Sequence, residues 1–224
     1  MNESPKSPLP RPKPTGETGT ESAEIAAVCG LDPALADLWR RLGDPPPWRR
    51  PATFATLVRI ILEQQVSLAS GKATFDRLRR RCNGTINAKR IGELTPQELR
   101  GCGLSRQKAR YVAALADDVT SRRFSVAALS RMNDEEARAA IVGRLGLGVW
   151  SADIFLLMAL RRPDVLPTGD LGLIKGLEEL DGQPYSSEVE IRERAESWRP
   201  YRSSATRLIW SLYLHNRNRL SPHL

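Results

Sequence analysis

Apolar residues recur every three to four positions along most of the chain after residue 31, and this spacing is typical of amphipathic α-helices. No segment of useful length alternates apolar and polar residues as a half-buried strand does. The helical patterns cover residues 32–43, 53–65, 67–81, 87–94, 95–103, 105–121, 125–130, 133–144, 150–160, 186–198 and 201–216, with a further helix starting near Asp170. Short helices joined by short loops predict an all-α fold.

Local signals at several helix ends support this pattern. Asp32 precedes Pro33, a pair typical of a helix start, and Gly43 stands where the same helix should stop. Thr95 and Glu98 have the spacing of a capping box, in which each residue satisfies a backbone N–H near the other. These signals predict where the helices begin and end.

The start of the chain has a different composition from the rest. Residues 1–20 are rich in Pro, Ser, Thr, Gly and charged residues, and such segments bury too little apolar surface to fold by themselves. We therefore predict a disordered tail over residues 1–20 and a helical domain over residues 32–224.

The net charge is the first indication of a partner. The chain has 34 Lys and Arg against 26 Asp and Glu, which gives a formal net charge of +8. Such a balance suits a polyanion, nucleic acid above all, although the charge could also serve solubility alone.

Cysteine usage and hydropathy indicate the compartment. Cys29, Cys82 and Cys102 lie far apart, so they form neither a disulfide framework nor the ligand set of an iron–sulfur cluster. No apolar run reaches the roughly 18 residues that a membrane span needs, and the N-terminus lacks an apolar signal core. These features predict a protein of the reducing cytosol, without a membrane partner.

A Gly-Leu-Gly break separates two helical patterns at Gly146, Leu147 and Gly148. The first turn of a helix has unpaired N–H groups that attract anions, and glycines before it allow another backbone to approach closely. The break is therefore a candidate clamp for a DNA phosphate that uses only main-chain donors, which positions DNA without reading its sequence. The alternative is a plain tight turn between packed helices.

A second, weaker candidate of this kind lies at Gly103 and Ser105. Ser105 is a good helix N-cap, and Arg106 and Lys108 follow it in the first turn, where cations oppose the helix dipole unless an external anion relieves them. The alternative is an ordinary capped helix.

Five segments together resemble a known family. The hairpin "GRLGLGVWSADIFLL" followed by "DVLPTGDLGL" resembles the helix-hairpin-helix DNA glycosylases. More narrowly, "ILEQQVSLASGKAT", "GLSRQKARYVAALA" and "WRPYRSSATRLIWSLY" are similar to DNA-3-methyladenine glycosylase II. The resemblance implies a monomer with two helical lobes and an active-site cleft between them, here without the β-rich N-terminal subdomain that such enzymes often carry.

The resemblance also implies an activity, the excision of alkylated purines from damaged double-stranded DNA by base flipping and hydrolysis of the glycosidic bond. Asp170 matches the family's catalytic aspartate, whose carboxylate would stabilise the positive charge that develops on the sugar. The alternative is that Asp170 only caps the helix that follows it. Asp153, Asp164 and Asp181 are rival carboxylates that fit the motif less well.

By the same resemblance, Trp150 and Trp210 line the base pocket, with Tyr213 one turn beyond Trp210. An electron-rich aromatic face would hold a cationic alkylated base by stacking and cation–π attraction. The alternative for each tryptophan is a packed core indole. Gln65, with Gln64 beside it, matches the residue that fills the gap left by the flipped base, although a helix-end glutamine can also simply face solvent.

Trp150 stands where lyase-competent relatives carry a nucleophilic lysine, so the resemblance implies a monofunctional glycosylase. Two alternatives remain open: a lyase that uses another amine such as Lys175, and a non-catalytic DNA-binding module. No cofactor is expected to be required. The family hairpin commonly binds Na⁺ or K⁺, here through the main-chain carbonyls of Val142, Arg144 and Leu147.

Two basic runs, residues 77–81 with Lys72 and residues 198–207, are candidates for further phosphate contacts. Such runs are otherwise solvated faces.

Overall fold

A computed structural model describes residues 17–218, with side chains described from Glu21 onward. Within these residues the chain forms twelve α-helices and two short 3₁₀ segments, and no strand. The helices are α1 (Glu17–Leu31), α2 (Pro33–Leu42), α3 (Phe54–Glu63), α4 (Leu68–Arg81), α5 (Ala88–Gly92), α6 (Pro96–Gly101), α7 (Arg106–Thr120), α8 (Asp134–Val142), α9 (Val149–Met158), α10 (Leu171–Asp181), α11 (Glu188–Arg194) and α12 (Arg202–His215). The 3₁₀ segments are Val126–Arg131 and Glu196–Trp198. The all-α prediction is confirmed.

The predicted helix ends lie where the local signals put them. The Asp32 side chain accepts the backbone N–H groups of Ala34 and Leu35, and α2 ends at Gly43 with φ of 75°. Thr95 and Glu98 form the predicted capping box at the start of α6. Local capping chemistry therefore sets these boundaries.

Helix α1 corrects the predicted start of the domain. It begins at Glu17, inside the predicted tail, and its residues Ile25 and Val28 are buried against the rest of the fold. Packing on α2 and α12 stabilises a helix whose own amphipathic pattern is weak, because tertiary burial outweighs local propensity. Residues 1–16 of the predicted tail lie outside the described residues.

The helices pack into two groups. In the first group, α4, α7 and α9 pack on α3, whose Leu57, Ile60 and Ile61 are fully buried, while α5 and α6 pack on α7 and α8 packs on α9. In the second group, α1, α2 and α10 pack around α12. In the second group α10 and α12 cross closely at Gly176, where an added Cβ would lie only 2.6 Å from the Ile209 carbonyl oxygen. This crossing sets the first turn of α10 beside the middle of α12.

Two segments connect the groups: a connector (residues 43–53) and the loop between α9 and α10 (residues 159–170). In the connector, buried Arg50 forms a bidentate ion pair with Glu63 of α3, at 2.7 and 3.1 Å. The Arg50 N–H also donates to the Met158 carbonyl at the end of α9, at 3.0 Å. The connector is thus fastened to the first group, at α3 and at the end of α9. None of the described helices has the length and hydropathy required to cross a membrane.

Candidate active site and DNA-binding face

Asp170 lies at the junction of the two helix groups and receives hydrogen bonds from both. Trp150 Nε1 on α9 donates to Asp170 Oδ2 at 2.8 Å, and Trp210 Nε1 on α12 donates to Oδ1 at 2.8 Å. Asp170 also caps α10, because Oδ1 accepts the Leu173 N–H at 2.9 Å. These three donors are uncharged, so they orient the carboxylate without neutralising it. Both sequence interpretations of Asp170 therefore hold together: it is a helix cap and a candidate catalytic carboxylate.

The rival carboxylates are each tied to arginine. The pairs are Asp153 with Arg138 at 2.8 Å, Asp164 with Arg199 at 2.8 Å and Arg202 at 2.7 Å, and Asp181 with Arg194 at 2.9 Å. Burial also raises the pKa of Asp153, although its arginine partner opposes the shift. None of the three offers an uncompensated negative charge, which leaves Asp170 as the candidate.

The three predicted pocket aromatics are in different environments. Trp210 is buried at 7% exposure, and Trp150 is half-buried. Tyr213 packs instead against Arg217, whose guanidinium carbon lies 3.9 Å from its ring centroid. The structure therefore brings both tryptophans to Asp170, whereas one face of Tyr213 is already covered by a cation.

Two neighbours of this site escaped the sequence interpretation. Trp48 of the connector packs edge-on against Trp210, with ring centroids 5.8 Å apart, and its backbone is left-handed with φ of 40°. An added Cβ at Gly172 would lie 3.1 Å from Asp170 Oδ1 and 3.3 Å from Trp210 Cδ1, so this glycine makes room for the indole. Nothing in the sequence around Trp48 predicts its contact with Trp210. The second glycine of "TGDLGL", by contrast, is a local sign of close packing beside Asp170.

The two hairpin glycines have different tasks. Gly146 has φ of 83°, and an added Cβ would lie 2.2 Å from the Tyr111 ring, so both the turn and the packing require glycine there. Gly148 is the N-cap of α9, without a side-chain cap, and nothing lies within 4 Å of the space a Cβ would occupy. Leu147 is buried between them. The open approach to the first turn of α9 is thus at Gly148.

We expect Gly148→Ala and Gly146→Ala to separate these tasks. Because φ at Gly148 is −92° and the space is open, alanine should fold there with little change in Tm but hinder a phosphate, weakening DNA binding by about tenfold. Gly146→Ala should lower stability by about 1–3 kcal/mol through strain and overpacking. Thermal melts and fluorescence anisotropy on a DNA duplex would measure both effects. Unchanged DNA affinity in Gly148→Ala would contradict the clamp.

Gln64 and Gln65 follow α3 but point to different surroundings. Gln64 Nε2 donates to the Gly146 carbonyl at 2.8 Å and to Ser151 Oγ at 3.1 Å, so its amide is engaged within the protein rather than directed at DNA. Gln65 is exposed and left-handed, with φ of 54°. The geometry therefore favours Gln65 as the residue that could enter the DNA stack.

At the second candidate clamp, Gly103 and Ser105 each have a role within the protein itself. Gly103 has φ of 94°, and an added Cβ would lie 2.4 Å from Arg77 Nη2. The Ser105 hydroxyl accepts the Lys108 N–H at 3.1 Å, as an ordinary N-cap does. The alternative interpretation, a capped helix, accounts for both residues.

Comparison with known proteins places the chain in a family. Residues 58–200, more than half of the chain, match the model of the HhH-GPD superfamily base excision DNA repair protein. The chain belongs to the HhH-GPD superfamily. Within it, the chain is 31% identical over 125 residues to a DNA-3-methyladenine glycosylase of Bacillus subtilis, covering 54% of this chain and 41% of that enzyme. It is 24% identical over 200 residues to DNA-3-methyladenine glycosylase 1 of Schizosaccharomyces pombe, covering 86% of this chain and 87% of that one.

A solved structure gives the same fold. The fission yeast 3-methyladenine DNA glycosylase in complex with abasic DNA superposes with a TM-score of 0.74 at 22% identity, over 90% of this chain and 99% of that chain. The HhH-GPD architecture thus accounts for the two helix groups and for the hairpin between α8 and α9.

The predicted cation ligands lie in the HhH-GPD hairpin. The Arg144 carbonyl accepts the Leu147 N–H at 3.1 Å, which leaves its second lone pair for a cation. Residues 142–148 contain no acidic side chain, and no group of three His, Cys, Asp or Glu in the described chain could hold a metal ion. A Na⁺ or K⁺ site at the Val142, Arg144 and Leu147 carbonyls stays a prediction.

In this HhH-GPD fold, many arginines of the two basic runs have hydrogen-bond or ion-pair partners within the protein. Arg77 and Arg79 donate to the Cys102 and Gly84 carbonyls, and Arg81 pairs with Glu98. In the later run the arginines pair with acids, namely Arg199 and Arg202 with Asp164, and Arg207 with Glu21. These side chains thus contribute to local structure, and phosphate contacts from the exposed arginines stay a prediction.

Proposed function

We propose that this HhH-GPD protein is a monofunctional DNA N-glycosylase that excises alkylated purines of the 3-methyladenine type in base excision repair. The observation that carries the proposal is the Asp170 carboxylate, held by the N–H groups of Trp150 and Trp210 where the two helix groups meet. The names of the similar proteins and the abasic DNA bound to a structural neighbour support the same substrate class.

The proposed chemistry follows from the charges. As the bond between C1′ and the base nitrogen breaks, the sugar becomes positively charged, and a fixed carboxylate at Asp170 stabilises that charge. An alkylated purine that is already cationic takes the bonding electrons and leaves as a neutral base, so strong acid catalysis is not needed. Water then bonds to C1′, and Asp170 orients it and accepts its proton.

The DNA-binding face supplies the base to this site. The unpaired N–H groups at the start of α9, behind Gly148, grip a phosphate of double-stranded DNA. Exposed Gln65 fills the gap left in the stack when the damaged base turns outward. The indole faces of Trp150 and Trp210 then hold the cationic base by stacking and cation–π attraction.

Lyase chemistry needs an amine at the sugar, and the hairpin position carries Trp150 instead. The alternative amine, Lys175, donates to Glu178 at 2.7 Å on the surface of α10. We therefore propose base release without strand cleavage. We also propose that the protein acts as a monomer in the bacterial cytosol. A Na⁺ or K⁺ ion on the carbonyls of Val142, Arg144 and Leu147 would stabilise the hairpin, and no other cofactor is needed.

We expect purified protein to release methylated purines from an alkylated duplex and to leave abasic sites. Chromatography would identify the released bases, and strand breaks should appear only after alkali treatment. Borohydride should trap no covalent adduct. Strand breaks without alkali, or a trapped adduct, would instead favour the lyase, and DNA binding without base release would favour the non-catalytic module.

A further inference from the structure

Lys108 has a role that its position in the sequence does not reveal. It lies in the first turn of α7, half-buried, and its Nζ donates to the carbonyls of Leu62 at 2.7 Å and Gln64 at 2.8 Å. These carbonyls belong to the C-terminal end of α3, where carbonyl groups lack helical partners and a cation is favoured. Burial lowers the pKa of Lys108, and nearby Glu63 opposes that shift.

Gln64 connects this lysine to the hairpin. Its carbonyl accepts the Lys108 ammonium, while its side-chain amide donates to the Gly146 carbonyl and to Ser151 Oγ. Three elements are joined in this way: the start of α7, the loop after α3 and the phosphate-binding hairpin. We call the chain of contacts Lys108–Gln64–Gly146 the tie.

The tie lies at the short loop between α3 and α4, where Gln65 stands. Gln65 follows Gln64 directly and has φ of 54°, a conformation that costs a glutamine roughly 1 kcal/mol or more and persists only where the surroundings enforce it. Val66 and Leu68, on either side of Ser67, are 43% and 41% exposed. An open pocket of about 460 Å³ borders the loop. The tie acts directly on Gln65, because the Gln64 carbonyl that Lys108 holds is the peptide group immediately before it.

We propose that Lys108 is a positioning residue for base flipping: through the tie it holds Gln65 ready to enter the DNA stack and registers that residue against the hairpin's phosphate contact. Lys108 touches no reacting atom. The proposal rests on the proposed function, because it assigns a task within the same glycosylase reaction.

The test compares one lesion in two settings. Lys108→Met keeps an unbranched side chain, one atom shorter, but removes the charge and the donors. Single-turnover excision is measured with the lesion paired in a duplex and with it opposite an abasic-site analogue. Pairing makes flipping costly only in the first substrate. We expect the rate to fall about 10- to 100-fold on the paired lesion, as misplacement of a positioning group does, and less than about threefold on the unpaired one. Lys89→Met, at an exposed lysine of α5, should change neither rate.

A second variant and a second measurement keep the proposal testable if Lys108→Met folds poorly. Gln64→Met removes the other half of the tie and should give the same contrast between paired and unpaired lesions. Lys108→Arg keeps a cationic donor and should restore the excision rate of the paired lesion. In wild type, fluorescence of 2-aminopurine placed opposite an uncleavable lesion should rise on binding, and the rise should be lost in Lys108→Met. Equal losses on both substrates, or no loss, would overturn the role of Lys108, whereas absence of base release by wild-type protein would overturn the proposed function itself.

Discussion

Asp170→Asn is expected to reduce excision of a 3-methyladenine-type base by about 10³-fold or more, because it removes the negative charge that stabilises the sugar cation. The structure adds a second reason. Asp170 accepts one indole N–H on each oxygen, whereas an asparagine offers one oxygen and a donating NH₂ group. One tryptophan N–H would then face another donor and lose its hydrogen bond.

The same variant should remain folded, since asparagine is a good N-cap and the Leu173 N–H still needs an acceptor. Single-turnover excision, thermal melts and affinity for abasic DNA would separate catalysis from folding and binding. Asp164→Asn is the matched control: it removes a carboxylate tied to Arg199 and Arg202, so stability should fall while excision per folded molecule stays within a few-fold. Full activity in Asp170→Asn would refute the assignment of the catalytic carboxylate.

Trp210→Phe is expected to reduce excision by about 10²-fold, since a catalytic group that shifts by about 1 Å can lose that much of its effect. Phenylalanine keeps an aromatic face for the base but has no N–H for Asp170, so the carboxylate loses one of its two indole partners. Because Trp210 is buried and in contact with Trp48, the smaller ring should also destabilise the fold by about 1–3 kcal/mol.

Trp198→Phe provides the control for that loss of stability. Trp198 is also buried, and its Nε1 donates to a carboxylate oxygen of Asp32 at 2.7 Å, but that pair is separate from Asp170. Both variants should therefore lower Tm, and only Trp210→Phe should lower the excision rate of the folded fraction. A parallel loss of rate in the two variants would indicate that Trp210 acts through stability alone.

The position of the hairpin was predictable from the sequence, but the separate roles of its two glycines were not. The Gly-Leu-Gly pattern predicts the break between α8 and α9, and the structure has it there. Which glycine faces open space and which faces Tyr111 was not predictable, because Tyr111 comes from another helix. The sequence interpretation also took Gln64 as a partner of DNA, and only the packed hairpin shows that its amide is used inside the protein.

Local chemistry explains what the sequence alone determined: the all-α fold, the helix caps, the hairpin and the choice of Asp170 as candidate. These depend on apolar periodicity and capping within a few residues, or on motifs whose order along the chain is itself the signal. The tertiary structure alone decided that α1 belongs to the domain, that arginines neutralise the rival aspartates, and that indoles from both helix groups meet at Asp170. Trp150 and Trp210 lie 20 and 40 residues from Asp170 in sequence, and contacts over such separations exist only once the helices have packed.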